Sequence, residues 1–594
     1  MTRVSDQALG IINGRRPENR FGRFGRQAPR DSLTCIRSRR VFRDVMSAAV
    51  RQQHSYTDSI QPGCETIRER VNSIEVDTAM SNTPAWFDKD PIQYHAGFRS
   101  NQTACLEFRT GERLTYRDLD RQIAKCAGLL VKVLGKPLGV RVAILARNSI
   151  DLVLLHYACE RTGAIFVPLN WRLAGPELKT LLEDAGPQLF VYDEEFGRAA
   201  TEAASGLPSL VTFNISPGSN EFRSAVSAAE AVASRFAALD APCTFLYTSG
   251  TTGKPKGVIV TRKNIFFGSF NHSIVGQVGA DSVMLCDAPM FHVIGLFGLV
   301  RSSFYAGATL AISDRFTPSA TLQRISDPQL GVTHYFCVPQ MAQALIDDPS
   351  FCASDLSRLK GLFLGGAPLS ESLAARFLDA RVPIADGFGM SEAGTVTCMP
   401  LDLEIIRRKP RSVGLSAPAV EIRLVAADGQ DVGPGEPGEM WLHGPGVSPG
   451  YWNQPEATNR AFVDGWFRTG DVARRDDGFY EVVDRLKDMY ITGGENVYPA
   501  EVEATILTLP GVAEAAVIGV PNERWGECAC AYVVLQPGAT VMAEQILNHC
   551  AGRLARFKLP TWVRFVDAIP RTASGKMRKD VLRHIFAEPS AHRD

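Results

Sequence analysis

Between about residues 100 and 370, short and mostly apolar strand-like runs alternate with helical or loop segments. Residues 140–145, 164–169 and 189–192 are short, mostly apolar stretches that predict strands, and 283–286, 333–338 and 361–364 are further strand-like runs. Residues 120–133 follow Leu114–Leu119 and carry Ile123, Ala127 and Val131 at four-residue spacing, which predicts a helix; 151–162 predicts a second, with Asp151 at its start. Strands alternating with helices argue for α/β layers on largely parallel sheets, in which ligands bind at the carboxyl ends of strands. Nearer the C-terminus the order changes to helix 499–509, strands 515–520 and 530–535, helix 543–554 and strand 563–566, the pattern of a compact α+β unit. The expected fold is therefore α/β, a large N-terminal domain of layered, mostly parallel sheets with a smaller C-terminal α+β domain.

Composition narrows the function. The chain has 594 residues, too many for one ordinary core, and its 45% apolar and 22% charged content is that of a globular protein. A formal net charge of zero argues against a general nucleic-acid binder and for a small-molecule partner. Thirteen cysteines lie scattered with no Cys-x-x-Cys pair, as expected of reduced thiols filling cores in a cytoplasmic protein and not of disulfides or a zinc site. The most apolar short stretch, 293–300, is far below the ~18–20 residues of a membrane span, so none is expected.

Residues 1–79 stand apart, with fourteen arginines, no lysine and nine acidic residues. Little in them can bury apolar surface, and they read as a mostly disordered extension. An upstream start with the true beginning at Met80 is favoured over a transit peptide or a basic arm, because acids run throughout.

One stretch concentrates candidate chemistry. After the β-like run 244–247, residues 248–257 hold three glycines, four hydroxyl residues, Lys254 and Lys256. Glycines let backbone N–H groups turn toward one concavity while hydroxyls and ammonium groups add donors, which describes a polyphosphate loop, though neither the Walker nor the dinucleotide pattern. Downstream come Phe291-His292-Val293 before an apolar helix, Gly365-Gly366-Ala367-Pro368 after a strand, and Asp386-Gly387-Phe388-Gly389-Met390-Ser391-Glu392 after another. Taken alone His292 reads as a core histidine and each glycine segment as a turn, although Glu392 offers hard oxygens suited to Mg²⁺.

The later segments Trp466-Phe467-Arg468-Thr469-Gly470-Asp471, Asp484-Arg485-Leu486-Lys487-Asp488, Gly493-Gly494-Glu495-Asn496 and Ser574-Gly575-Lys576 complete an ordered series. With them the chain resembles the adenylate-forming enzymes of the acyl-CoA synthetase, luciferase and peptide-synthetase adenylation superfamily, and more narrowly an acyl- or aryl-CoA ligase, over about residues 84–588. The resemblance implies three segments: the extension 1–79, an AMP-binding domain 80–486, and a mobile domain 487–594 carrying the catalytic lysine.

It also implies roles. Thr248, Ser249, Gly250, Thr251, Thr252, Gly253, Lys254 and Lys256 would hold the β- and γ-phosphates of ATP. Gly366, Ala367, Asp386, Gly387 and Phe388 would form the adenine pocket, Phe388 standing where tyrosine is usual. Ser391, in place of the usual threonine, would lie beside the α-phosphate. Glu392 would bind Mg²⁺, with Thr248 as a second ligand. Asp471 and Arg485 would hold the ribose, and Lys576 would be catalytic. The small domain would pivot at Lys487 and present Gly493 and Gly494 to the site for coenzyme A. His292 would gate or position substrate where the acyl pocket meets the thiol tunnel. Phe291, Val293, Ile294, Val338, Pro339, Met341, Gly365 and the segment 394–397 would line a pocket without a cation, suited to an apolar fatty or aromatic acid. The implied activity is ATP-dependent, AMP-forming acyl-CoA ligation, with loading of an acyl-carrier protein by a freestanding enzyme as the alternative. Luciferase-type oxygenation and a catalytically dead scaffold are weaker rivals, the latter because Lys576, Glu392, Asp471 and both loop lysines are all present. Monomer and homodimer both remain open.

Overall fold

The computed structural model describes residues 89–587, apart from 216–220, 249–254, 368, 493–494, 523, 552 and 573–575 and the side chain of Asn496. The Arg-rich segment 1–79 lies outside the described residues. All described residues belong to one compact unit, Glu75–Asp594.

Two large sheets form the first layers. In the nine-stranded sheet, six neighbouring strands run parallel: Ile384–Met390, Gly361–Leu364, His334–Cys337, Val283–Cys286, Thr309–Ile312 and Thr103–Glu107. Antiparallel strands close both edges, Arg113–Thr115 at one and Gly394–Cys398 followed by Leu415–Ser416 at the other. The six-stranded sheet is parallel through Val211–Asn214, Leu189–Tyr192, Arg141–Leu145, Ile165–Pro168 and Pro242–Thr248, and ends in the antiparallel strand Lys256–Thr261. Mixed α/β layers with mostly parallel sheets thus emerge as the sequence pattern implied.

Helix Ile150–Thr162 lies deep among these layers, and all thirteen of its residues are buried. A helix covered on every side has no polar face, so its sequence carries little amphipathic signal. Ser149, not Asp151, caps its start by accepting from Leu152 N at 3.2 Å, and Gly163 ends it at φ +74°, a left-handed conformation glycine adopts without strain. Helix Tyr116–Leu134 begins four residues before the predicted position because Thr115 supplies the cap. Ile123 and Ala127 are buried along it, whereas Val131 is 38% exposed.

A five-stranded antiparallel sheet (Glu421–Val425, Gly438–His443, Phe462–Val463, Trp466–Asp476, Phe479–Arg485) follows. Beyond it the predicted α+β unit holds helix Pro499–Leu507, the long hairpin Val512–Asn522 and Gly526–Leu535, helix Ala543–Ala551 and strand Trp562–Phe565. Among the described residues the buried apolar clusters of this region, around Tyr490, Val502, Val517 and Ile546 and around Ile518, Tyr532 and Leu582, share no member with those before residue 486. Ten of the eleven described cysteines are buried and all eleven are unpaired thiols, as the core-filler reading expects. No described helix is long and apolar enough to cross a membrane.

Candidate active site

The phosphate-loop candidate is the tip of a hairpin. Strand Pro242–Thr248 lies parallel to Ile165–Pro168, so the loop leaves at its carboxyl end, and the chain returns antiparallel with Lys256 opposite Thr248. The Thr248 hydroxyl reaches only the Lys256 carbonyl among the described residues, at 3.5 Å, too long for a firm hydrogen bond. Ser249, Gly250, Thr251, Thr252, Gly253 and Lys254 lie outside the described residues.

A chain of contacts then links this hairpin to Glu392. The Lys256 ammonium stands 4.8 Å from the centre of the Tyr451 ring, and the Tyr451 hydroxyl donates to Glu392 Oε1 at 2.9 Å. The backbone holds Tyr451 there: Ile259 N donates to Gly450 O, Trp452 N to Gly257 O at 2.7 Å, and Ser448 N to Glu392 O at 2.7 Å. Tyr451 escaped the sequence reading, although the aromatic pair after Gly450 marks the spot. Burial pushes the Glu392 carboxyl above its usual range, opposed by the Tyr451 hydrogen bond and the charges of Lys576 and Lys256.

The adenine-pocket candidates meet where three backbones approach closely. Gly366 has φ +83°, and a side chain on Gly387 would come within 2.9 Å of Thr397 O. Residues 386–390 are not a turn after a strand, as their glycines suggest; they belong to strand Ile384–Met390, paired with Gly394–Cys398 around a bulge at Phe388 and Gly389. Pairing with a second strand supplies the hydrogen bonds a turn would have lacked, and the glycines admit the crowding. Asp386 Oδ1 accepts from Gly387 N at 2.9 Å, and burial raises its carboxyl to about 7. Phe388 packs against the apolar cluster around Val396 and Phe467. Ala367 is half-buried beside Gly366, and Ser391 lies in the turn between the paired strands, next to Glu392.

The second cluster gathers around Lys576. Asp471 and Arg485 face each other across the strand pair Trp466–Asp476 and Phe479–Arg485, with Arg485 Nε 3.3 Å from Asp471 Oδ1. Burial and the Arg485 charge depress the Lys576 ammonium, while Asp471 and Glu392 counteract them. Lys487, exposed near Asp488, adds a smaller repulsion. The structure therefore brings Lys576, Glu392, Asp471, Arg485 and Lys487 into one electrostatic neighbourhood, although Lys576 follows Glu392 by 184 positions. Gly493 and Gly494 lie outside the described residues.

His292 borders the same neighbourhood. Its ring packs on Phe291 at 4.3 Å, its Nε2 has no hydrogen-bond partner, and burial with the charges of Arg172 and Lys576 lowers it to about 4. It is neutral at pH 7. The apolar helix after it, Ile294–Arg301, is a π-helix, wider than an α-helix, a form that recurs at functional sites. Sequence reading also missed Arg172, whose guanidinium lies 4.1 Å from the Trp171 ring and 5.8 Å from Phe291. Of the acyl-pocket candidates, Phe291, Pro339 and Gly365 are buried, while Val293, Ile294, Val338 and Met341 are half-buried at the edge of the main core. Strand Gly394–Cys398 packs on helix Arg262–Val275 so closely that a side chain on Gly394 would lie 3.0 Å from Gly268 Cα.

Known proteins share this fold. The family model described as AMP-binding enzyme matches residues 92–452, and that of the AMP-binding enzyme C-terminal domain matches 501–576. The chain is 38% identical over 477 residues to feruloyl-CoA synthase of an Amycolatopsis species, covering 80% of this chain and 94% of the relative. It is 36% identical over 496 residues to the long-chain-fatty-acid–CoA ligase FadD13 of Mycobacterium tuberculosis, covering 82% and 95%. Among solved structures, ATP-bound MatB from Rhodopseudomonas palustris superposes with a TM-score of 0.77 at 30% identity over 84% of this chain and 99% of that one.

Proposed function

The chain belongs to the AMP-binding enzyme family, and from that premise we infer that it is an ATP-dependent, AMP-forming acyl-CoA ligase acting on aromatic or fatty carboxylic acids. The observation that carries the reading is the convergence on Lys576: a lysine from the small C-terminal unit lies in electrostatic reach of Glu392, Asp471 and His292 from the large one. A structural appendage has no reason to bury an ammonium there.

A carboxylate is a poor acyl donor because its leaving group would be oxide. Attack of a carboxylate oxygen on the α-phosphorus of ATP forms the acyl–O–P bond and breaks the Pα–O–Pβ bond, releasing pyrophosphate. Coenzyme A sulfur then attacks the acyl carbon, the C–O bond to AMP breaks, and the thiol proton passes to solvent. Thr248 and Lys256 face the phosphates from the hairpin, and Asp386 and Phe388 frame the adenine. Asp471 with Arg485 positions the ribose, and Ser391 lies beside the α-phosphate. Lys576 stabilises charge building on the α-phosphate and the attacking carboxylate, an aimed electrostatic contribution whose removal costs ~10²–10³ in rate.

Mg²⁺ fits the donors present. Among the described residues no cluster of three acidic, cysteine or histidine side chains stands ready for a metal, and Glu392 keeps one carboxylate oxygen clear of its bond to Tyr451. Glu392, with Thr248, would hold the ion, since Mg²⁺ is usually bound through only one or two carboxylates together with substrate phosphates and retained waters. Bound there, Mg²⁺ would supply charge neutralisation to the phosphates.

For the second step we place the domain boundary at 486/487, with Lys487 as the pivot that withdraws Lys576 and brings Gly493 and Gly494 toward the thiol. Loading of a carrier protein is the alternative acceptor reaction. The test is pyrophosphate and AMP release with ATP and Mg²⁺ over a panel of cinnamic-type, benzoic and fatty acids, with and without coenzyme A. CoA-dependent AMP release that falls at least ~10²-fold in Lys576→Ala supports the reading; pyrophosphate release indifferent to coenzyme A would favour the carrier protein.

A further inference from the structure

Helix Arg262–Val275 presents a buried histidine that the mechanism leaves unused. His272 is 3% exposed, and its Nε2 has no hydrogen-bond partner. Its Nδ1 lies 3.4 Å from Thr395 Oγ1, and its ring is 5.5 Å from that of Phe363. Its Cε1 edge is 3.6 Å from where a side chain on Gly298 would begin. Thr395 belongs to the segment 394–397 assigned above to the acyl pocket, and the same Gly298 position lies 2.5 Å from Cδ1 of Ile294, another residue assigned to it. His272 therefore borders that pocket.

It is not alone in lacking a partner. Ser269 stands one helical turn earlier on the same face, and Thr397 two residues beyond Thr395 on the same strand face. Both are fully buried, and neither the Ser269 hydroxyl nor the Thr397 hydroxyl has a partner. Buried polar side-chain atoms in native proteins are nearly always satisfied, so three such orphans where one helix meets one strand call for something to satisfy them.

We propose that this polar end of the acyl pocket receives a hydroxyl group borne by the far end of the carboxylic acid, so that the preferred substrate is a hydroxylated aromatic acid and not a plain hydrocarbon one. The inference rests on the acyl-CoA ligase reading and narrows it. A hydroxyl suits the site in either histidine tautomer. If Thr395 donates to Nδ1, Nε2 carries the proton and the substrate oxygen accepts; if Nδ1 donates to Thr395, Nε2 accepts from the substrate hydroxyl. A methoxy oxygen serves only the first case. A second carboxylate reaching this end finds no cation in His272, because burial with the nearby His334 lowers it to about 4. The pocket is otherwise apolar, and the flat Phe363 ring flanks the histidine, which favours an aromatic body over a flexible chain.

The test compares kcat/KM for pyrophosphate release with cinnamic acid, its 3-hydroxy and 4-hydroxy forms, its 4-methoxy form, and octanoic acid, in wild type, His272→Phe and His272→Gln. The wild type is expected to prefer one hydroxycinnamic acid over cinnamic acid by about 10–100-fold, mostly through KM. His272→Phe should lower kcat/KM for the hydroxycinnamic acid by about 10-fold or more beyond any loss with cinnamic acid, abolishing the preference, and His272→Gln, which keeps a donor and an acceptor, should restore part of it. Turnover of cinnamic and hydroxycinnamic acids without preference in the wild type would overturn the inference and leave the ligase reading standing, as would an equal loss for both acids in His272→Phe. Pyrophosphate release from no acid in the panel would overturn both. If His272→Phe fails to fold, the wild-type preference together with its reduction in His272→Gln decides the matter.

Discussion

Replacing Tyr451 by phenylalanine removes one oxygen and little else. The ring stays over Lys256, 4.8 Å from its ammonium, but the donor 2.9 Å from Glu392 Oε1 is gone. A hydrogen bond to an ionised acceptor contributes about 1.5–3 kcal/mol, and at 1.36 kcal/mol per factor of ten the adenylation step should slow by about 10–100-fold at neutral pH. The sign of the accompanying pH effect follows from Glu392. Burial already raises its carboxyl and the Tyr451 bond pulls it down, so losing that bond raises it further and leaves less carboxylate at a given pH. The acidic limb of the rate profile should therefore move to higher pH, with a larger loss at pH 6 than at pH 8, and excess Mg²⁺ should recover part of the activity. The assay is initial pyrophosphate release over a grid of pH and Mg²⁺ concentration, with ATP affinity measured separately. A variant with wild-type rates and an unmoved acidic limb would refute the role given to the Lys256–Tyr451–Glu392 chain; a loss that neither pH nor Mg²⁺ relieves would mean that Tyr451 acts through packing.

Two further outcomes follow from buried charges. Glu160 is the shared anion of Arg262, at 3.1 Å, and of Arg301, and all three are buried where helix Ile150–Thr162 meets the π-helix. Glu160→Gln leaves two guanidinium groups beside a neutral amide and should destabilise the protein by about 3–5 kcal/mol, seen as a lowered first transition in calorimetry; an unchanged transition would contradict the network's structural role. Asp386, raised by burial to about 7, keeps a proton in the folded state that the unfolded chain loses near its ordinary value of ~3.9, so its contribution favours folding at low pH and is lost as pH rises through about 7. Nucleotide-free Asp386→Asn should accordingly exceed wild type in stability at pH 8, by about 2–4 kcal/mol, with the gap narrowing toward pH 5. A gap independent of pH would show that Asp386 is not the titrating group.

Much of the layered core could be read from short apolar runs, because a strand buried on both faces needs nothing but apolar residues. The runs 189–192, 283–286 and 361–364 coincide with observed strands. Helix Tyr116–Leu134 shows where periodicity fails: at 100° per residue, Val131 lies about 80° around the helix from Ile123, and it emerges from the buried face. The segment 386–390 was misread as a turn because its glycines could not reveal the pairing with 394–398 that makes it a strand. Lys576, Glu392, Asp471 and Arg485 were legible through motifs, and the structure gathers them. Tyr451, Arg172 and His272 were not, since what singles them out is a contact between distant segments: a hydroxyl on Glu392, a guanidinium over Phe291, an imidazole against Thr395. The π-helix after His292 likewise reads as an ordinary apolar run until its width is seen.

The most direct test of the account is the fate of oxygen. With an acid of the panel that supports turnover, labelled with ¹⁸O in both carboxyl positions, the reaction is run in ordinary water with ATP, Mg²⁺ and coenzyme A, and the products are weighed by mass spectrometry. Attack of the carboxylate on the α-phosphorus, followed by thiol attack on the acyl carbon, delivers one ¹⁸O to AMP and leaves the other in the thioester. Labelled AMP with unlabelled pyrophosphate is the predicted result. Label in orthophosphate with formation of ADP, or AMP free of label, would contradict an acyl-adenylate path and the roles assigned around Lys576.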